Sequence, residues 1–133
     1  MAYFNKKYDV DANDGKELLY DLRQIYAKVI GRILDRLELN RKLNMYSEWY
    51  EDIRCLYVEI NKNLPEKERQ EFKDELTKTN KVICENELAY QRKINDANQN
   101  RLIWDALADL EMYVKDLMEK HNMFGYAEDD LGL

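Results

Sequence analysis

The stretch 102–121 constrains this chain more than any other. Ile103, Leu107, Leu110, Val114, Leu117 and His121 recur there at steps of 4, 3, 4, 3 and 4, with Asp105, Asp109, Glu111, Asp116 and Glu119 on other sides. At 3.6 residues per turn, that spacing draws one apolar stripe along an α-helix. A stripe of this length must be covered, so other parts of the chain have to supply the cover. Three further segments carry stripes of their own. The expected fold class is all-α: a four-helix bundle, mostly antiparallel, with an N-terminal arm and an acidic C-terminal tail.

Composition supports this expectation. Charged residues make up 36%, there are only four Gly, and Pro65 is the single Pro; the frequent tight turns of strand-rich folds are disfavoured. The 133 residues fit one domain, 1–133, able to bury about 68% of its unfolded surface without metal or disulfide. No apolar run exceeds Cys55, Leu56, Tyr57 and Val58, so neither a spanning helix nor the apolar part of a secretory signal is expected. The chain is read as cytoplasmic. Its two cysteines, Cys55 and Cys84, form no CxxC. On a hairpin turning near Leu64 they would be offset by roughly 16 Å along the axis, too far to bridge.

Along the chain, residues 1–12 form the arm, holding Tyr3, Phe4 and Tyr8 without helical period. Asp14 followed by Glu17 suits a capping box opening the first helix, 14–39. Its core face is Leu18 or Leu19, Leu22, Ile25 or Tyr26, Val29, Ile33 and Leu37. Gly31 inside it costs about 1 kcal/mol against Ala, and close helix packing is the usual reason for such a residue. Asn40 is expected to end this helix in a left-handed conformation. The second helix, 45–62, runs through Tyr46, Trp49, Ile53, Leu56 and Ile60, and Pro65 then opens the third, 65–94, from its first turn. That third line is thin: Phe72, Leu76, Thr79, Ile83, Tyr90 and Ile94, with Asn86 in its middle. It should be the most exposed long helix. Asp96 and Gln99 are spaced for a capping box before the fourth helix, 96–121. The tail, 122–133, carries Met123, Phe124 and Tyr126, then Glu128, Asp129 and Asp130. The soft breaks at 40–44 and 95–100 leave two long kinked helices as the alternative.

Four groupings bear on chemistry. Asp9, Asp11, Asn13, Asp14 and Gly15 suggest a calcium loop, but position 6 counted from Asp9 is Asp14 where Gly is needed, and position 12 is Tyr20 where Glu is needed. Glu48 and Glu51 form an ExxE, and Glu71 and Asp74 an ExxD. This pair resembles the magnesium-binding pattern of the all-α nucleoside triphosphate pyrophosphohydrolases. The resemblance implies carboxylates from two antiparallel helices holding metal against a substrate's phosphates. Helical phase argues otherwise: Glu48 and Glu51 point roughly 120° to 180° away from the Trp49, Ile53 and Ile60 face. Ser47 also stands where that pattern usually has a further acid. His121, the sole histidine, falls in a last helical turn, where imidazole interacts favourably with the helix dipole. Lys28, Arg32, Arg36, Arg41 and Lys42 form a basic line, interrupted by Asp35 and Glu38, as on an ordinary solvated face.

A net charge of -6 argues against nucleic-acid or anionic-membrane partners. It leaves room for an acidic inhibitor that competes for a nucleic-acid-binding groove. The leading expectation is a non-enzymatic protein-interaction or assembly protein with no cofactor and no metal, self-associating as a homo-oligomer. Interaction candidates are Tyr3, Phe4, Tyr8, Met123, Phe124 and Tyr126, apolar residues outside the helices. The alternative is the magnesium enzyme with Glu48, Glu51, Glu71 and Asp74 as ligands. A composition rich in Asn and Tyr suits a rapidly diverging protein of a mobile element.

Overall fold

A computed structural model describes residues 14–123, with side chains from residue 27 onward. Four long helices and one short one follow in order: α1 (Asp14–Lys42), α2 (Tyr46–Ile60), α3 (Glu66–Glu85), the single turn α4 (Glu87–Tyr90), and α5 (Ala97–Lys120). A 3₁₀ turn, Asn61–Asn63, closes α2. The described residues include no strand, and no helix among them is long and apolar enough to cross a membrane.

α5 is the hub, because α2, α3 and α4 all pack on it while α1 packs on α2. Ile103, Leu107, Leu110, Val114 and Leu117 of its stripe are buried, joined by Met118. The stripe of α2 is buried at all five positions. Aromatic rings knit the helices together. Trp49 of α2 meets Trp104 of α5 edge to face at 5.6 Å between centroids. Phe72 of α3 lies 4.7 Å from Tyr57 and 5.8 Å from Tyr113. Each such pair adds about 0.5–1.5 kcal/mol beyond the burial of its area.

Helix ends depart from expectation in an instructive way. α1 runs past Asn40 to Lys42, and the left-handed residue is Asn44, at φ 55°. The Asn44 N–H donates to the Arg41 carbonyl at 3.1 Å and the Met45 N–H to the Asn40 carbonyl at 2.9 Å. This satisfies carbonyls the helix leaves without partners. The same paired closure recurs at Arg92, φ 62°, after α4 and at Asn122, φ 55°, after α5. After the last, Met123 tucks into the core. Residues 43–45 are not helical, so α1 and α2 are separate helices.

The expected 65–94 helix is interrupted at Asn86, whose backbone leaves the helical region at φ -131° and ψ 39°. Its side chain donates to the Val82 carbonyl at 2.9 Å, the kind of local bond that competes with helix continuation. Ile94, placed on the apolar line, is consequently exposed beyond the Arg92 corner. Pro65 stands just outside α3, with its carbonyl accepting from the Arg69 N–H at 2.9 Å. Among the described residues close packing does not account for Gly31, since a methyl group there would meet none of their atoms within 4 Å. The buried residue on that turn is Ile30, with Val29 only half-buried.

Candidate functional site

Two carboxylates are drawn inside the protein. Asp52 on α2 is 4% exposed and Glu111 on α5 is 7% exposed. Asp52 Oδ1 accepts from Arg36 Nε at 3.2 Å and Nη2 at 3.1 Å, and its Oδ2 accepts from Asn40 Nδ2 at 2.7 Å. Glu111 Oε1 accepts from Trp49 Nε1 at 2.9 Å and Arg41 Nε at 3.2 Å, and its Oε2 from Lys115 Nζ at 2.7 Å. Every carboxylate oxygen therefore has a donor, the condition under which a charge survives removal from water. These groups join α1, α2 and α5 through one polar seam.

Neither acid is among the sequence-based candidates, and Glu111, expected on another side of its helix from the apolar stripe, is buried in phase with it, as Asp52 is on α2. Asp52 follows Trp49 by three and precedes Leu56 by four; Glu111 follows Leu107 by four and precedes Val114 by three. An acid in phase with a buried stripe signals an internal cation. The basic line of α1 supplies it: Arg36 and Arg41 turn to the two acids, and Lys42 pairs with Glu38 at 3.2 Å. Lys28 and Arg32 remain exposed. The line is thus divided between interior and surface.

A third acid, Glu68 of α3, accepts from Lys120 and from His121 Nε2 at the far end of α5. Its carboxyl is held below the ordinary 4.5, chiefly by the Lys120 hydrogen bond and then by His121, while burial opposes. Lys120 is raised by the same contact. His121 stands just past the last helical residue of α5, and its ring reaches across to α3.

The four acids of the magnesium-like pattern are all exposed. Glu51 pairs with Arg54 at 3.6 Å, and Asp74 accepts from Gln70 at 3.1 Å. Among the described residues, no three His, Cys, Asp or Glu side chains are grouped so as to hold a metal ion, so Glu48, Glu51, Glu71 and Asp74 do not converge. Cys55 and Cys84 are free thiols, and burial pushes the Cys55 thiol up. Of the calcium-like grouping, Asp14 and Gly15 open α1, whereas Asp9, Asp11 and Asn13 lie outside the described residues. So do Tyr3, Phe4, Tyr8, Phe124, Tyr126, the arm and the acidic tail. Met123, an interaction candidate, is buried in the core instead.

The surface carries several hollows. Two adjoin at the end where α2 and α5 begin, of about 520 and 490 Å³, and share Asn44, Tyr46, Asn95 and Asn100. A furrow of about 370 Å³ between α2 and α3 is lined by Cys55, Tyr57, Val58 and Leu76. Another of about 440 Å³ opens beside Gly31. Large apolar side chains also face outward, Leu39, Leu43, Val58 and Met112 among them. No protein-family model matches this chain, and no curated protein or solved structure matches it either.

Proposed function

We propose that this chain is a non-enzymatic helical interaction module that associates with a second copy of itself in the cytoplasm. The observation that carries the reading is a ridge at the end of α1. Leu39 and Leu43 are 56% and 55% exposed and stand one turn apart, on one face. Single exposed leucines are ordinary, whereas adjacent ones with no internal cover favour an interface. Behind the ridge, the Arg36 to Asp52 tie holds the end of α1 against α2, so the ridge is presented on a braced element.

The bundle that carries it is proposed to be mostly antiparallel. Late residues of one helix meet earlier residues of another in three pairs: Arg36 of α1 with Asp52 of α2, Tyr57 of α2 with Phe72 of α3, and His121 at the end of α5 with Glu68 of α3. Light scattering on the purified chain tests the function. The expected mass is above 16.1 kDa, returning to the monomer value in the double variant Leu39→Asp, Leu43→Asp. A monomer at the highest soluble concentration would overturn self-association, and an oligomer unchanged by the double variant would remove the ridge.

A further inference from the structure

The two adjoining hollows at the start of α2 and α5 differ from the rest of this surface in charge. The chain has 27 acids against 21 basic residues, yet the larger hollow is lined by Arg92 and Lys93 and by no acid at all. Neither cation pairs with a carboxylate among the described residues. Arg92 Nη1 lies 3.0 Å from the Met45 sulfur, a weak acceptor that leaves the guanidinium's other donors open. In an acidic protein, two unneutralised cations in one concavity are available to an anion.

Three further features converge on the same place. Tyr46 is 6% exposed and lines both hollows. Burial raises the Tyr46 hydroxyl's pKa while Arg92 pulls it down, so the two side chains share one electrostatic environment. Next, α2 starts at Tyr46 without a side-chain cap. The first N–H groups of the helix therefore lack partners inside it, and the dipole there favours negative charge, to which Glu48 of the same turn already contributes. Finally, Asn100 donates to Asn95 at 3.1 Å, leaving the Asn95 amide donors free at the shared rim.

We infer that this double hollow binds a phosphate-bearing small molecule, with the phosphate held by Arg92, Lys93, the Tyr46 hydroxyl and the Asn95 amide. Donors from several directions with a formal charge of two match a tetrahedral dianion better than a planar carboxylate. The volume exceeds what phosphate alone fills and falls within the range of small-ligand sites. The second hollow is bordered by Trp104, 38% exposed on α5, a surface on which a planar ring can stack. Its only acid is Asp105, which is 3.7 Å from Arg101. Free phosphate and a nucleoside monophosphate share the recognised group, and Trp104 is what separates them.

Titration calorimetry on the full chain tests this with two probes, inorganic phosphate and adenosine 5′-monophosphate. Arg92→Gly is the decisive variant, because glycine accepts the positive φ of that corner without strain; its thermal midpoint should not fall. Binding of whichever probe is recognised should weaken about tenfold in Arg92→Gly and by a similar factor in Tyr46→Phe, each of which removes hydrogen bonds to a charged group. Tighter binding of the nucleotide, lost in Trp104→Ala while phosphate binding persists, identifies a nucleotide-like ligand. Equal affinity for the two probes identifies phosphate itself. No saturable binding of either probe at millimolar concentration, or binding indifferent to both Arg92→Gly and Tyr46→Phe, overturns the site.

Discussion

The two sides on which α5 is covered are closed by opposite means. Toward α1 and α2, charge lies inside: Glu111 is buried beneath Trp49, Arg41 and Lys115, with Asp52 close by on α2. Toward α3, rings lie inside, with Phe72 between Tyr57 and Tyr113, and the acid, Glu68, stays at the rim with Lys120 and His121. The first arrangement is costly to assemble, since both ions lose water, and more costly to break, since removing one leaves the others stranded. The second relies on ring packing, with its acid paired near solvent, and it leaves the Tyr113 hydroxyl and Arg69 Nε buried without a hydrogen-bond partner among the described residues. The comparison teaches that this fold concentrates its specificity at one seam and its general cohesion elsewhere.

Replacing Glu111 by Ala tests that contrast most severely. The loss should be about 3–5 kcal/mol by urea unfolding, because Trp49 and Arg41 lose a buried acceptor together. Asp52→Ala should cost less, about 1–3 kcal/mol, as Arg36 can return to water. A loss at Glu111 no larger than at an exposed acid such as Glu48 would erase the distinction. Gly31→Ala sharpens the picture from the other direction. A methyl group there meets no atom of the described residues within 4 Å, so stability should rise by about 1 kcal/mol through helix propensity alone; a decrease would mean that α1 is packed beyond its polar seam.

The smallest effect is expected at the rim, and it depends on pH. The Glu68 carboxyl is held below 4.5 in the folded protein, so its contribution is complete above that value and is lost as pH falls further. Lys120 is raised above 10.5; its contribution is complete below that value and is lost as pH rises. Thermal midpoints of Glu68→Gln should therefore lie slightly below those of the parent at neutral pH and converge with them in acid. Midpoints that stay apart in acid would show that Glu68 acts through packing.

The apolar skeleton was legible because phase is a local property. Tyr46, Trp49, Ile53, Leu56 and Ile60 are inside, as are Ile103, Leu107, Leu110, Val114 and Leu117, each placed by its own helix's period. The Asp96 cap was equally local, and its side chain accepts from the Gln99 N–H at 2.9 Å. The polar seam was hidden because its partners come from other helices: Glu111 is completed by Trp49 and Arg41, far away in sequence. An acid alone reads as a surface residue until its cation is known. The corners at Asn44 and Arg92 were missed or misplaced for a related reason. Several asparagines near the first break have comparable tolerance for left-handed backbone, and tertiary contact selects among them; Asn40 is retained in α1 by its bond to Asp52, while at the second corner the left-handed residue is Arg92, outside the asparagine run.

Both tryptophans of the chain, Trp49 and Trp104, meet each other where α2 crosses α5. Tryptophan emission, excited where tyrosine does not absorb, is therefore a spectroscopic window on that crossing, with the Glu111 carboxylate beside one indole to shift its wavelength. Should α3 detach first during unfolding, the emission would stay native while circular dichroism already registered the lost helix. A gap between the two curves would reveal that the molecule comes apart in stages.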